Sequence, residues 1–201
     1  MNALDALTVA QTAIGLLRQH IRPGDRVHGI ITHGGDAPNV VPAHTSARYM
    51  VRAETTAELG DIQGKVMRCF EAGAIATGAR LEVATASPSY AEVKHDSELA
   101  ALYRKNAEEL GRFFPDLGGL GKRSTGSTDM GNISQALPSI HPTLGLGCFP
   151  IVNHQPEFAA FCATPVADQA LFDGAVAMAW TAIDLAAKGP LQDRLTGTAK
   201  S

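Results

Sequence analysis

Seven histidines, His20, His28, His33, His44, His95, His141 and His154, are the side chains of this 201-residue sequence best suited to hold a metal ion or move a proton near neutral pH. None stands in an HExxH or other short ligand spacing, so distance along the chain establishes no metal site. His154 has the most suggestive surroundings, in the polar run Asn153-His154-Gln155-Pro156-Glu157 just ahead of a helix; His141, in Ser139-Ile140-His141-Pro142, comes second. Taken one at a time, each is more simply a structural or solvated imidazole. A second candidate is Gly126-Ser127-Thr128-Asp129-Met130-Gly131, where a loop opening a short helix would turn backbone N–H groups toward a carboxylate or phosphate. The plainer reading is a capped turn with Thr128 or Asp129 as N-cap. A third is Asn39 with Arg52, whose guanidinium can grip a carboxylate through two parallel hydrogen bonds, although a strand arginine is more often just solvated. No Gly-x-Ser-x-Gly elbow and no Walker run occurs, so nucleophile-triad and nucleotide chemistries have no support.

Periodicity predicts the elements that would position these residues. Leu4, Leu7, Ile14, Leu17 and Ile21 recur at helical spacing and predict a helix from about Asn2 to His20, with Asn2 as N-cap, Asp5 in its first turn and Pro23-Gly24 as its stop. Two strands are expected at Val27–Thr32 and His44–Ala53, separated by turn formers from Gly34 to Asn39. In the second, Ala47, Tyr49 and Val51 alternate with Ser46, Arg48, Met50 and Arg52, giving one face to a core and the other to water. Thr55-Thr56-Ala57-Glu58 is a capping box for a helix through Leu59, Ile62, Val66, Phe70 and Gly73 to a stop at Gly78. A short third strand is expected at Arg80–Ala84. Helix, strand, strand, helix, strand is a split βαβ unit without its opening strand.

Beyond it, a helix is expected from about Asp96 to Phe114, then a loop holding Gly118, Gly119, Gly121 and Gly126. From Ser124 to Glu157 no long periodic segment appears, a pattern typical of functional loops. The last predicted helix opens at Thr164-Pro165 and stops at Gly189-Pro190. The expected organisation is a first domain over 1–90, a second over 91–190 and a frayed tail over 191–201.

Composition narrows the function classes. An apolar share of 45% with 18% charged residues is that of an ordinary globular chain, which disfavours disorder, collagen and coiled coil. A net charge of -3, from 17 basic and 20 acidic residues, carries no footprint for nucleic acid or an anionic membrane, and neither partner is expected. Cys69, Cys148 and Cys162 form no CxxC pair, which excludes a zinc knuckle and points to buried thiols in a reducing cytoplasm. No apolar stretch approaches the roughly 18 residues that span a bilayer.

Five stretches in order strengthen one reading: Asn2-Ala3-Leu4-Asp5-Ala6; Val27-His28-Gly29-Ile30-Ile31 with Gly34-Gly35 and Pro38-Asn39-Val40-Val41-Pro42; Tyr49 to Ala53; Gly126 to Asn132 through Pro138-Ser139-Ile140-His141-Pro142; and Asn153 to Phe158. Over residues 2 to 188 the sequence resembles the zinc-dependent aminoacylase and carboxypeptidase family of peptidase clan MH. The nearer subgroup is the amidohydrolases that include aminobenzoyl-glutamate hydrolase and dipeptidases acting on basic dipeptides. The resemblance implies an α/β catalytic domain holding two zinc ions, interrupted by a ferredoxin-like α+β lid that also mediates dimerisation. The predicted first domain fits that lid without its first strand. Asn39 and Arg52, thirteen positions apart as in the family pattern, would bind the substrate's terminal carboxylate, the backbone of Gly126 and Ser127 would line the pocket, and His154 matches the last metal ligand.

The family's other metal ligands and its acidic general base have no counterpart in this sequence, nor has the histidine of the lid's first strand. The chain is therefore expected to be the C-terminal portion of a hydrolase of small N-acyl amino acids or dipeptides, inactive without its metal-binding half. The alternative is a non-catalytic dimerisation module or a decayed gene remnant.

Overall fold

The structure is a computed structural model that describes residues 1–115, 128–187 and 189–198. It is α+β, helices with one two-stranded sheet, and it divides into two compact units, Met1–Glu92 and Val93–Ser201.

In the first unit, α1 (Ala3–Leu17) begins where the Asn2 side chain accepts the N–H of Leu4 at 3.0 Å. A short 3₁₀ turn, Arg18–His20, leads to a hairpin of β1 (Arg26–His33) and β2 (Ser46–Arg52), antiparallel and running in register from Arg26 opposite Arg52 to His33 opposite Ser46. α2 (Thr56–Thr77) starts at the predicted capping box, Thr55 and Glu58 each accepting the other's backbone N–H, and ends at Gly78, whose φ of +71° supplies the left-handed turn that closes the helix. Ile14, Val27, Ile62, Val66 and Cys69 form the core between the two helices and one face of the hairpin, with Tyr49 and Phe70 meeting edge to face at 5.0 Å. The helices are in tight contact at Gly73, where a Cβ would collide with the carbonyl oxygen of Ala6. Arg22 ties the turn after α1 to the start of α2 through Asp61 at 2.9 Å and Glu58 at 3.5 Å.

The expected third strand is absent among the described residues: Arg80–Ala84 pairs with nothing. A strand exists through its ladder partner, and without one Leu81 and Val83 are left exposed. The chain beyond is instead drawn to the start of α2, where Glu92 accepts both the N–H (2.9 Å) and the hydroxyl (2.8 Å) of Thr56.

In the second unit, α3 (Ser97–Glu109) is capped by Asp96, which accepts the N–H of Leu99 at 3.0 Å. The short helices α4 (Met130–Ala136) and α5 (Pro156–Phe161) precede α6 (Pro165–Ala186), which opens with Thr164 as N-cap and Pro165 in its first turn. α3 packs on α6 around Tyr103, Ala107 and Ala177. The buried Asn106 donates to Thr181 and Asp184 across that contact, at 3.2 and 2.9 Å. The α4 region is fastened to the start of α3. The Ser134 hydroxyl accepts the N–H of Lys94, the Asp96 N–H donates to the Ser139 carbonyl, and His95 and Ser139 form a parallel bridge.

Where fraying was expected, α7 (Pro190–Thr198) is helical. Arg194 holds it to α3, with both terminal nitrogens on Asp96 at 2.8 Å and Nε on Glu98 at 3.1 Å, a long-range ion pair that periodicity cannot reveal.

Candidate functional site

Asn39 and Arg52 are both carried by the hairpin. The connection from Gly34 to Pro42 is folded against the first turn of α1, where the Ala3 N–H donates to the Pro42 carbonyl at 2.9 Å and the Thr45 hydroxyl to the Ala3 carbonyl at 3.0 Å. Asn39 lines the open cleft of about 570 Å³ that this loop forms with Asn2 and Leu4. Arg52 closes the ladder at the opposite end, six residues on from Ser46, or about 20 Å at the usual rise. The structure therefore does not bring these two side chains together. Of the histidines, His33 and His44 stack at 6.0 Å beside the same loop.

The face of the hairpin turned away from α1 and α2 is the more telling surface. Along β2, Tyr49 and Val51 are half-buried while Arg48, Met50 and Arg52 are exposed. The register sets Ile30, His28 and Arg26 opposite them on the same face. Arg26 is held by the carbonyls of Pro23 and Asp25, at 2.6 and 2.7 Å, and Arg52 donates from Nε to the Met50 sulfur at 3.3 Å. None of these three arginines makes an ion pair among the described residues, whereas Arg22, Arg80, Arg104, Arg112 and Arg194 all do. Only Arg52 stood out in the sequence as a site residue. The strand alternation that puts Arg48 beside it was legible, but the position of Arg26 opposite required the register.

In the second unit, His154 is exposed on a turn that Gln155 closes by accepting the Val152 N–H at 3.1 Å. Its φ of +67° makes it the one non-glycine residue with positive φ among those described, a conformation that histidine tolerates better than most residues but that still costs about 1 kcal/mol or more. Asp129 caps α4 by position, and the nearby Met130 N–H is accepted by Thr128 at 3.3 Å. His141 is exposed. Gly126 and Ser127 lie outside the described residues. Among the described residues, no three His, Cys, Asp or Glu side chains gather where they could hold one metal ion.

Over 95% of its length the chain is 35% identical to the Xaa-Arg dipeptidase of Mus musculus and 34% identical to that of Homo sapiens. A shorter match, 37% identical over 82 residues and 40% of this chain, is to one of the subunits of the p-aminobenzoyl-glutamate hydrolase of Escherichia coli strain K12. The chain belongs to the aminoacylase and carboxypeptidase family of peptidase clan MH. It spans 44% of the length of the two dipeptidases and 17% of the hydrolase subunit. No family model matches the sequence.

Proposed function

We propose that this chain serves the hydrolysis of the amide bond of small N-acyl amino acids or dipeptides. Residues 1–90 would act as a ferredoxin-like lid lacking its first strand, and 91–190 as part of the catalytic domain. The observation that carries the reading is the alignment of 95% of the chain with Xaa-Arg dipeptidases. Burial along α6 supports it. The helix buries Ala167, Ala170, Asp173, Gly174, Ala177 and Thr181 and leaves Leu171, Phe172, Met178 and Ile183 at least half exposed, as expected of a helix meant to be covered on a second side.

In this reading Arg52 takes the substrate's terminal carboxylate and orients it. The family resemblance also assigns Asn39 and the backbone of Gly126 and Ser127 to the substrate. The donors among the described residues do not fit a zinc site, because a catalytic zinc takes about three protein ligands and His154 would supply one. The remaining ligands belong to a protein layer outside the described residues, which would also cover α6. Dimerisation through the lid is part of the same reading.

Titrating the 201-residue chain with N-acetyl-L-alanine tests the carboxylate assignment: Arg52→Gln should weaken binding about fivefold, the upper range for an exposed charge pair. Unchanged binding overturns it. Equilibrium dialysis should find zinc bound weakly and hydrolysis should be negligible without a second protein part. Two tightly held zinc ions per chain would overturn that division of labour.

A further inference from the structure

We propose that Arg48 selects an acidic substrate by binding a second carboxylate beside the one taken by Arg52. The proposal rests on the Arg52 reading and sharpens it. The hairpin's solvent face carries three guanidinium groups, Arg26, Arg48 and Arg52, and the imidazole of His28, with no carboxylate paired to any of the three arginines among the described residues. Arg26 stands directly opposite Arg52, and like charges facing across a ladder destabilise it. A dianion on this face relieves that repulsion.

The three arginines are not equivalent. Arg26 is turned to the carbonyls of Pro23 and Asp25, and Arg52 is steadied by the Met50 sulfur. Arg48 makes no hydrogen bond or ion pair among the described residues and is free to reach a ligand. Arg48 and Arg52 lie four residues apart on one strand face, about 13 Å between their backbones, with Met50 between them as an apolar floor that is 54% exposed. Two long side chains leaning toward each other over Met50 can each fork onto one end of a small dicarboxylate. An arginyl side chain placed there would add a further guanidinium to a face that already repels itself. The chemistry therefore favours an acidic amino acid over a neutral one, and a neutral one over a basic one, so the substrate would differ from what the name Xaa-Arg dipeptidase states for its relatives.

Chemical-shift titrations of the 201-residue chain with N-acetyl-L-glutamate, N-acetyl-L-alanine and N-acetyl-L-arginine test this. Glutamate should bind about fivefold tighter than alanine, as one exposed charge pair allows, and arginine weakest. Arg48→Gln should bring the glutamate-to-alanine ratio to about one, and Arg48→Glu should place arginine ahead of glutamate, in line with that same single pair. Arg68→Gln removes an equal charge from the exposed side of α2 and should leave the ratio as it was. A wild-type chain without the preference, or a preference that survives Arg48→Gln, overturns the proposal. Loss of the ratio in Arg48→Gln while Arg52→Gln leaves alanine binding intact would instead fault the Arg52 assignment, and no shift with any of the three ligands overturns both.

Discussion

Helices α2 and α6 are each 22 residues long and each begins at a threonine whose hydroxyl accepts a backbone N–H three residues on, yet they are buried in opposite ways. α2 hides Ile62, Val66 and Gly73 of the apolar stripe its sequence announces, together with Cys69, and turns Gln63, Arg68 and Glu71 to water. α6 hides small residues and the polar Asp173 and Thr181, while Leu171, Phe172, Met178 and Ile183 face outward. The difference lies in the partners available. α1 and the hairpin supply α2 with everything its stripe needs. α3 meets α6 only along its small-residue side, which lets the two backbones come close but buries little side-chain area. A helix that is apolar nearly all round carries no single face for periodicity to read, so its orientation depends on what packs against it.

The largest test of this contrast is at the centres of the two contacts. Ile62→Ala removes a fully buried side chain and should cost about 2–5 kcal/mol in urea unfolding. Gly73→Val should cost about 1–3 kcal/mol or more, because the added Cβ meets the Ala6 carbonyl, a backbone atom that cannot rotate away. Gly174→Ala on α6 meets only the end of the Leu144 side chain, at 2.5 Å, and should cost less, about 1 kcal/mol. Equal losses at the two glycines would break the contrast.

Smaller effects are expected on the outer side of α6. Leu171→Ser and Phe172→Ser should each change stability by less than about 0.5 kcal/mol, as at other surface positions, and should reduce self-association measured by sedimentation velocity. A core-sized loss at either position would mean that this side is already packed.

The smallest effect concerns α7, which the contrast leaves to a single ion-paired arginine. Hydrogen bonds from Arg194, together with the Leu99 and Glu98 N–H groups, hold the Asp96 carboxyl below its ordinary range despite some burial. A carboxyl lowered on folding stabilises above its unfolded value, and that stability is lost as pH falls through its lower folded value. The α3 to α7 link should therefore hold at pH 5 and loosen only as the pH drops beneath the ordinary carboxylate range, as followed by the Asp96 carboxyl carbon shift. Arg194→Ala should move that titration upward; an unmoved titration would show that the cap to Leu99 acts alone.

Much of the local structure could be read from short-range chemistry. Asn2, Thr55 with Glu58, Gly78, Asp96 and Thr164 mark helix ends because each acts on backbone groups within about four residues of itself. The alternation of β2 was legible for the same reason. Arg80–Ala84 looked equally strand-like, but no ladder partner meets it among the described residues. At the candidate site, the family resemblance assigned Asn39 and Arg52 to one ligand, yet hairpin geometry sets them at opposite ends. His154 was singled out by its polar context, while its left-handed backbone became visible only in three dimensions.

Caps, strand alternation and kinship with the clan MH family were settled by the order of residues alone, since each depends on neighbours along the chain or on matching stretches of it. Which side of α6 is covered, that α7 is fastened through Arg194, and that three arginines share one unpaired face were decided by tertiary contact. Burial and charge pairing depend on groups tens of residues apart, and no local pattern encodes where those groups will be.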